Sequence, residues 1–182
     1  LAHPERVDAL HLFDAAGAPL RDGEKPPKLP IGFKLAQVKA LGPLLEHITP
    51  RSLVEKSVYQ SVEVDSVVTP EMVDRYWELL RFPGNRRATA IRNRTDREVA
   101  FAEQLDEISA PSLVLWGDKD SLIPVSAADT FAERLPNPTK VILSGVGHIP
   151  MEESPDATAS AVRRFLDGLA PEAKDSLALE TA

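Results

Sequence analysis

Four side chains in this sequence stand where acid–base chemistry is feasible. Asp14, Asp118, Asp120 and His148 each follow a short apolar run that reads as a β-strand. Imidazole titrates near pH ~6.5, so a histidine takes up and returns a proton at neutral pH. A carboxylate held against it fixes the tautomer and stabilises the imidazolium. The two richest segments are Trp116-Gly117-Asp118-Lys119-Asp120-Ser121-Leu122-Ile123-Pro124 and Gly145-Val146-Gly147-His148-Ile149-Pro150-Met151-Glu152-Glu153. In an open parallel sheet, active groups collect at the carboxyl ends of strands. An acid and a histidine on successive strand-end loops can therefore meet in space although they are distant in sequence.

The elements that must position them fall into three zones and a tail. Residues 1–20 hold a strand over 7–13, nearly continuous in apolar character from Ala9 to Phe13 and closed by Ala15-Ala16-Gly17; such a run suits a strand covered on both faces. Residues 21–108 read as mostly helical after a loop that contains Pro26, Pro27 and Pro30. Thr49-Pro50 and Thr69-Pro70 each present a capping hydroxyl before a proline that suits the first helical position. Val73, Tyr76, Trp77 and Leu80 then recur as one amphipathic stripe, stopped by Pro83-Gly84, and more helix is expected from Asn85 to Ile108. In residues 109–170, strands at Ser112–Trp116 and Lys140–Leu143 alternate with helices. The buried faces of those helices are expected to be Ala128, Phe131, Ala132 and Leu135, then Val162, Phe165, Leu166 and Leu169. That alternation predicts an α/β fold with a parallel sheet. Residues 171–182 carry no pattern and are expected to form a mobile tail.

Composition narrows the chemistry further. The 182 residues are 43% hydrophobic and 27% charged, an ordinary globular balance. The net charge of −7 argues against nucleic acid or anionic membrane as a partner through bulk charge. With no cysteine, disulfides, thiolate metal sites and a cysteine nucleophile are excluded. No apolar run approaches the ~20 residues that span a bilayer. The first residues lack a secretory-signal layout, so a cytoplasmic location is the expectation. No His/Asp/Glu set has metal-ligand spacing, and neither a metal nor a cofactor is expected. His3, His11 and His47 read as loop or sheet residues, and the arginines from Arg86 to Arg97 as a solvated helical face.

The pattern Gly117-x-x-Asp120-x-x-x-Pro124 after a strand, followed by Gly145-x-Gly147-His148 before a proline-started helix, resembles the closing part of the α/β-hydrolase fold. His3-Pro4-Glu5-Arg6-Val7 and the strand to Asp14-Ala15-Ala16-Gly17 resemble the segment that follows that family's nucleophile helix. The resemblance implies the C-terminal part of an α/β-hydrolase parallel sheet, with an inserted helical cap over 21–108. It further implies Asp120 as the acid of a catalytic triad and His148 as its base. Asp14 is the alternative acid, since some members of the family carry theirs after the corresponding strand, and a loop-organising role is its other reading. Asp118 reads as a solvated or turn-capping carboxylate. Tyr76 and Trp77 form a packing face first, though in cap-bearing relatives such a face lines the acyl pocket.

The family's nucleophile sits on a Gly-x-Ser-x-Gly elbow, and no glycine here is followed two positions later by serine. The expectation is a hydrolase of ester-like small molecules whose elbow and oxyanion hole lie in a missing N-terminal half or another chain. By itself the chain is expected to be inactive, or to act as an association partner. A strand 7–13 belonging to the middle of a sheet would then have an unpaired edge that the missing part covers. Rival readings keep the acid and histidine but change the chemistry. One is an epoxide hydrolase or dehalogenase with an Asp nucleophile, in which Tyr59 and Tyr76 polarise an epoxide; another is a carbon–carbon bond hydrolase.

Overall fold

A computed structural model describes residues 3–18, 48–94 and 104–169, together with Arg21, Gly23, Ile31 and Lys34. The linker prolines, His47, Arg97 and the 171–182 tail lie outside the described residues. The elements are β1 (Leu10–Phe13), α1 (Arg51–Tyr59), α2 (Pro70–Arg81), α3 (Asn85–Arg94), β2 (Ser112–Gly117), α4 (Ser126–Arg134), β3 (Pro138–Leu143), α5 (Pro150–Glu153) and α6 (Pro155–Leu169). The three strands form a parallel sheet in the order β1-β2-β3, with Leu10 opposite Ser112 and Ser112 opposite Pro138.

All six residues of β2 are buried, because the strand is paired on both edges and covered on both faces. Alternation along the strand splits them. Val114 and Trp116 pack with Ala127, Ala128, Phe131 and Leu135 around α4, whereas Leu113 and Leu115 pack with Ala161 and Phe165 of α6. Each of the buried Val, Leu and Phe side chains contributes roughly 1.5–3 kcal/mol by leaving water, so β2 is the strand on which the described core is centred. Its buried polar groups are satisfied: the Trp116 indole N–H donates to the carbonyl of Ile123 at 3.3 Å and the Ser112 hydroxyl to that of Ala110 at 2.9 Å.

Several elements depart from what the sequence predicts. The expected strand 7–13 is shorter: Pro4–Arg6 form a 3-10 turn and pairing starts at Leu10. The strand is only half covered, with His11 exposed, stacked on Phe13 and edge-on to Phe165. Pro50 rather than Thr49 is the N-cap of α1, and no side chain caps that helix. Thr69 does cap α2, accepting from the Met72 N–H at 3.2 Å. The helix expected from Asn85 to Ile108 is described only to Arg94. On α6 the buried face is Thr158, Ala161 and Phe165, while Leu166 and Leu169 are exposed.

The helices between β1 and β2 have their own small core. Val54, Val58 and Met72 gather Val68, Tyr76, Trp77 and Leu80, together with Ile149 from the segment after β3. The expected stripe on α2 is thus a packing face, and it reaches the loop that carries His148. No helix among the described residues is long and apolar enough to cross a membrane.

Candidate active site

The loops after β2 and β3 are tied to each other by their backbones. The Asp118 N–H donates to the carbonyl of Leu143, and the Lys119 N–H to that of Val146. This approach is why β2 ends on glycine: a Cβ at Gly117 would stand 2.2 Å from the carbonyl oxygens of Val146 and Gly147. The Asp118 carboxylate adds to the tie, accepting from the Gly145 N–H at 2.7 Å and the Ser144 hydroxyl at 3.2 Å. It therefore acts as a turn-capping group, as its type and place predict.

Asp120 is held by its own loop. Its Oδ1 accepts from the Leu122 N–H at 2.8 Å and the Ile123 N–H at 3.0 Å, and its side chain is 0% exposed. Its Oδ2 lies 2.8 Å from His148 Nδ1. An ionised carboxylate only accepts, which assigns the proton to Nδ1 and leaves Nε2 as the basic nitrogen. The His148 side chain is 25% exposed, so the ring is fixed on its Asp120 side and open enough to meet a reactant. The pair can accept a proton at Nε2 and stabilise the resulting imidazolium.

Asp14 comes to the same place. It follows β1 in the left-handed region at φ 42° and is 3% exposed. Its Oδ1 accepts from the Gly117 N–H at 3.0 Å, whereas its Oδ2 is buried without a hydrogen-bond donor. Burial pushes its carboxyl up to about 8, opposed by the Gly117 N–H and reinforced by Asp120 and Glu153 nearby. Asp14, Asp120 and His148 offer ligand atoms within 4.8 Å of one another. That is the one grouping among the described residues able to hold a cation, which no sequence spacing foretold. The short Nδ1–Oδ2 contact makes the hydrogen-bonded pair its dominant feature.

Glu153 carries a role that sequence reasoning missed. Its Oε1 accepts from the Gly147 N–H at 2.8 Å, and its Oε2 from the Glu63 N–H at 2.8 Å and the Val64 N–H at 3.4 Å. The His148 N–H donates to the Ser61 carbonyl at 2.9 Å, so the 61–64 segment and the histidine loop are joined twice. Gly147 permits this, because a Cβ there would meet Glu153 Oε1 and the Glu63 nitrogen at 2.8 Å. The available signal was an acid near the histidine, but its partners are backbone amides that no residue type announces.

Tyr76 and Trp77 are half-buried and already engaged. The Tyr76 hydroxyl donates to Glu152 at 3.3 Å, and burial followed by the Glu152 charge raises its pKa. The Trp77 indole donates to the Thr49 carbonyl, with Arg81 stacked over its ring. Tyr59 is exposed on α1. His3 is exposed, paired with Glu5 at 3.4 Å.

A family model described as the alpha/beta hydrolase fold matches residues 1–155. Lipase 3 of a Moraxella species is 35% identical over 75 residues, which is 41% of this chain and 24% of that protein. A 2-hydroxy-6-oxononadienedioate/2-hydroxy-6-oxononatrienedioate hydrolase of Burkholderia vietnamiensis is 26% identical over 170 residues, covering 91% of this chain and 56% of that protein. Among solved structures, a bacterial membrane phospholipase A is 28% identical with a TM-score of 0.65, over 92% of this chain and 51% of that one. A thermophilic esterase from Thermogutta terrifontis has a TM-score of 0.67 at 21% identity, over 93% and 59%, a likeness of fold. The chain thus spans between a quarter and three fifths of these proteins.

Proposed function

The chain belongs to the α/β-hydrolase fold family, and from that premise we propose that it supplies the acid and base of a hydrolase acting on an ester or related acyl bond. The observation that carries this reading is the 2.8 Å contact between His148 Nδ1 and the fully buried carboxylate of Asp120, whose other oxygen is locked by two backbone amides. In the proposed reaction His148 Nε2 removes the proton of a serine nucleophile as that serine attacks the carbonyl carbon. Asp120 stabilises the imidazolium, which then gives the proton to the leaving alcohol. A water molecule, deprotonated the same way, releases the acyl group. The Moraxella lipase and the phospholipase A are the relatives that support acyl-ester chemistry.

The serine and the oxyanion donors are proposed to lie on an elbow outside these residues, since no Gly-x-Ser-x-Gly occurs within them. The strand bearing that elbow's neighbours would pair with β1, whose outer edge has no partner strand among the described residues. The helices between β1 and β2 would then be the cap, with the α2 face of Tyr76 and Trp77 bordering the acyl pocket. A second reading, hydrolysis of a carbon–carbon bond next to a ketone, is favoured by the breadth of the Burkholderia match, which spans 91% of the chain.

The test uses the whole protein that carries this chain. His148→Ala and Asp120→Asn are each expected to lower kcat for a short p-nitrophenyl ester by about 10⁴-fold. Full activity in both variants would refute the assignment. Turnover of a 2-hydroxy-6-oxo-dienoate in place of the ester would select the second reading.

A further inference from the structure

Beside the Asp120–His148 pair lies a carboxyl group for which the proposed relay has no use. Asp14 is 3% exposed, its Oδ1 is taken by the Gly117 N–H, and its Oδ2 is buried with no donor. An ionised carboxylate in that position would leave a charged oxygen uncompensated in the protein interior. The charged groups that bear on it are Asp120, from the loop after β2, and Glu153, from α5. Both are acidic. His148, from the loop after β3, completes the cluster, and its Nδ1 is committed to Asp120. Two carboxylates sharing one site do not both ionise; one of them retains its proton. Asp120 is the one that stays charged, because its oxygens already take two backbone N–H groups and the imidazole N–H. Asp14 has a single donor and an oxygen to spare.

We propose that Asp14 holds a proton at neutral pH and donates it from Oδ2 to Asp120, so that the acid of this site is a carboxyl pair carrying one negative charge. Asp14 is then a positioning residue rather than a rival acid: it holds the Asp120 carboxylate within the cluster that also contains His148 and draws off part of its charge. The inference about protonation stands on the fold alone, whereas its effect on catalysis rests on the hydrolase reading. Burial, together with the charges of Asp120 and Glu153, places loss of that proton at about 8. Above that pH a second negative charge faces His148 and the donor to Asp120 is gone. Both changes make the imidazole harder to deprotonate.

Carbon-13 labelling of aspartate carboxyls in the unmodified chain gives a direct test by NMR. The Asp14 carboxyl carbon is expected to titrate near pH 8, and titration at the ordinary value near ~4 would overturn the proposal. The His148 ring supplies the second readout. In the unmodified protein its shifts are expected to show a second inflection as Asp14 ionises, and in Asp14→Asn that inflection should vanish. Asp14→Ala, which lacks a donor, should make the His148 imidazolium harder to deprotonate, with Asp14→Asn restoring the unmodified behaviour. The acidic limb of kcat/KM in the whole enzyme should move in step. Identical His148 curves in all three proteins would mean that Asp14 does not position the pair. If instead Asp14 titrates near 8 but His148→Ala leaves hydrolysis intact, the carboxyl pair stands and the hydrolase reading falls.

Discussion

At the scale of single residues, the site is defined by what each oxygen accepts. Asp120 takes three N–H groups and Asp14 takes one, and this inequality decides which of the two bears charge. It also links folding to pH. The Asp14 carboxyl is raised from 3.8 to about 8 in the folded protein, so the folded state binds a proton that the unfolded chain releases. Its contribution to stability is complete below pH 3.8 and is lost as pH rises through about 8, by up to about 1.4 kcal/mol per pH unit in that window. Asp14→Asn, which cannot ionise, is therefore expected to gain in Tm over the unmodified protein from pH 4 to pH 8, with no further gain beyond. A constant Tm difference across that range would show that Asp14 is charged in the fold. That acids and a histidine follow neighbouring strands was legible in the sequence, whereas the preference for Asp120 over Asp118 came from the resemblance of Gly117-x-x-Asp120-x-x-x-Pro124 to the family pattern. Asp14 was legible only as a competitor, since sequence spacing cannot say that two acids will share one cavity.

At the scale of elements, strands were read more surely than caps and helix faces. Ser112–Gly117 announces itself by an unbroken apolar run, and its burial on both faces follows from that run. Thr49 and Thr69 look alike beside their prolines, yet only Thr69 caps. Leu166 and Leu169 continue the apolar period of α6 past the last turn the sheet covers. The junction at Glu153 was not legible, because it depends on where the 61–64 segment crosses the histidine loop. Glu153→Ala leaves the amides of Gly147, Glu63 and Val64 without their acceptor, a loss of roughly 1.5–3 kcal/mol for a charged hydrogen-bond group. The expected outcome is a lower denaturation midpoint with faster amide exchange at Gly147 and Glu63. Unchanged exchange at those amides would show that the junction contributes nothing in solution.

At the scale of the whole molecule, the two halves of the site are unequal in chain separation. Asp120 and His148 are 28 residues apart, whereas Asp14 and Gly117 are 103 apart. Closing the longer loop costs about 1.2 kcal/mol more in chain entropy, so the β2–α4–β3 unit is expected to gather before β1 docks onto it. Pulse-labelled hydrogen exchange during refolding of the whole protein should find the amides of Leu113, Leu115 and Val141 protected ahead of those of Leu12 and Asp14. The reverse order would contradict this sequence of events. Docking of β1 is also the step that carries the Asp14 carboxyl out of water, and between pH 3.8 and about 8 it takes up a proton in doing so. Completion of the site is thereby coupled to proton uptake: the Asp120–His148 contact closes the shorter loop, and the docking equilibrium of β1 weakens as pH rises toward about 8.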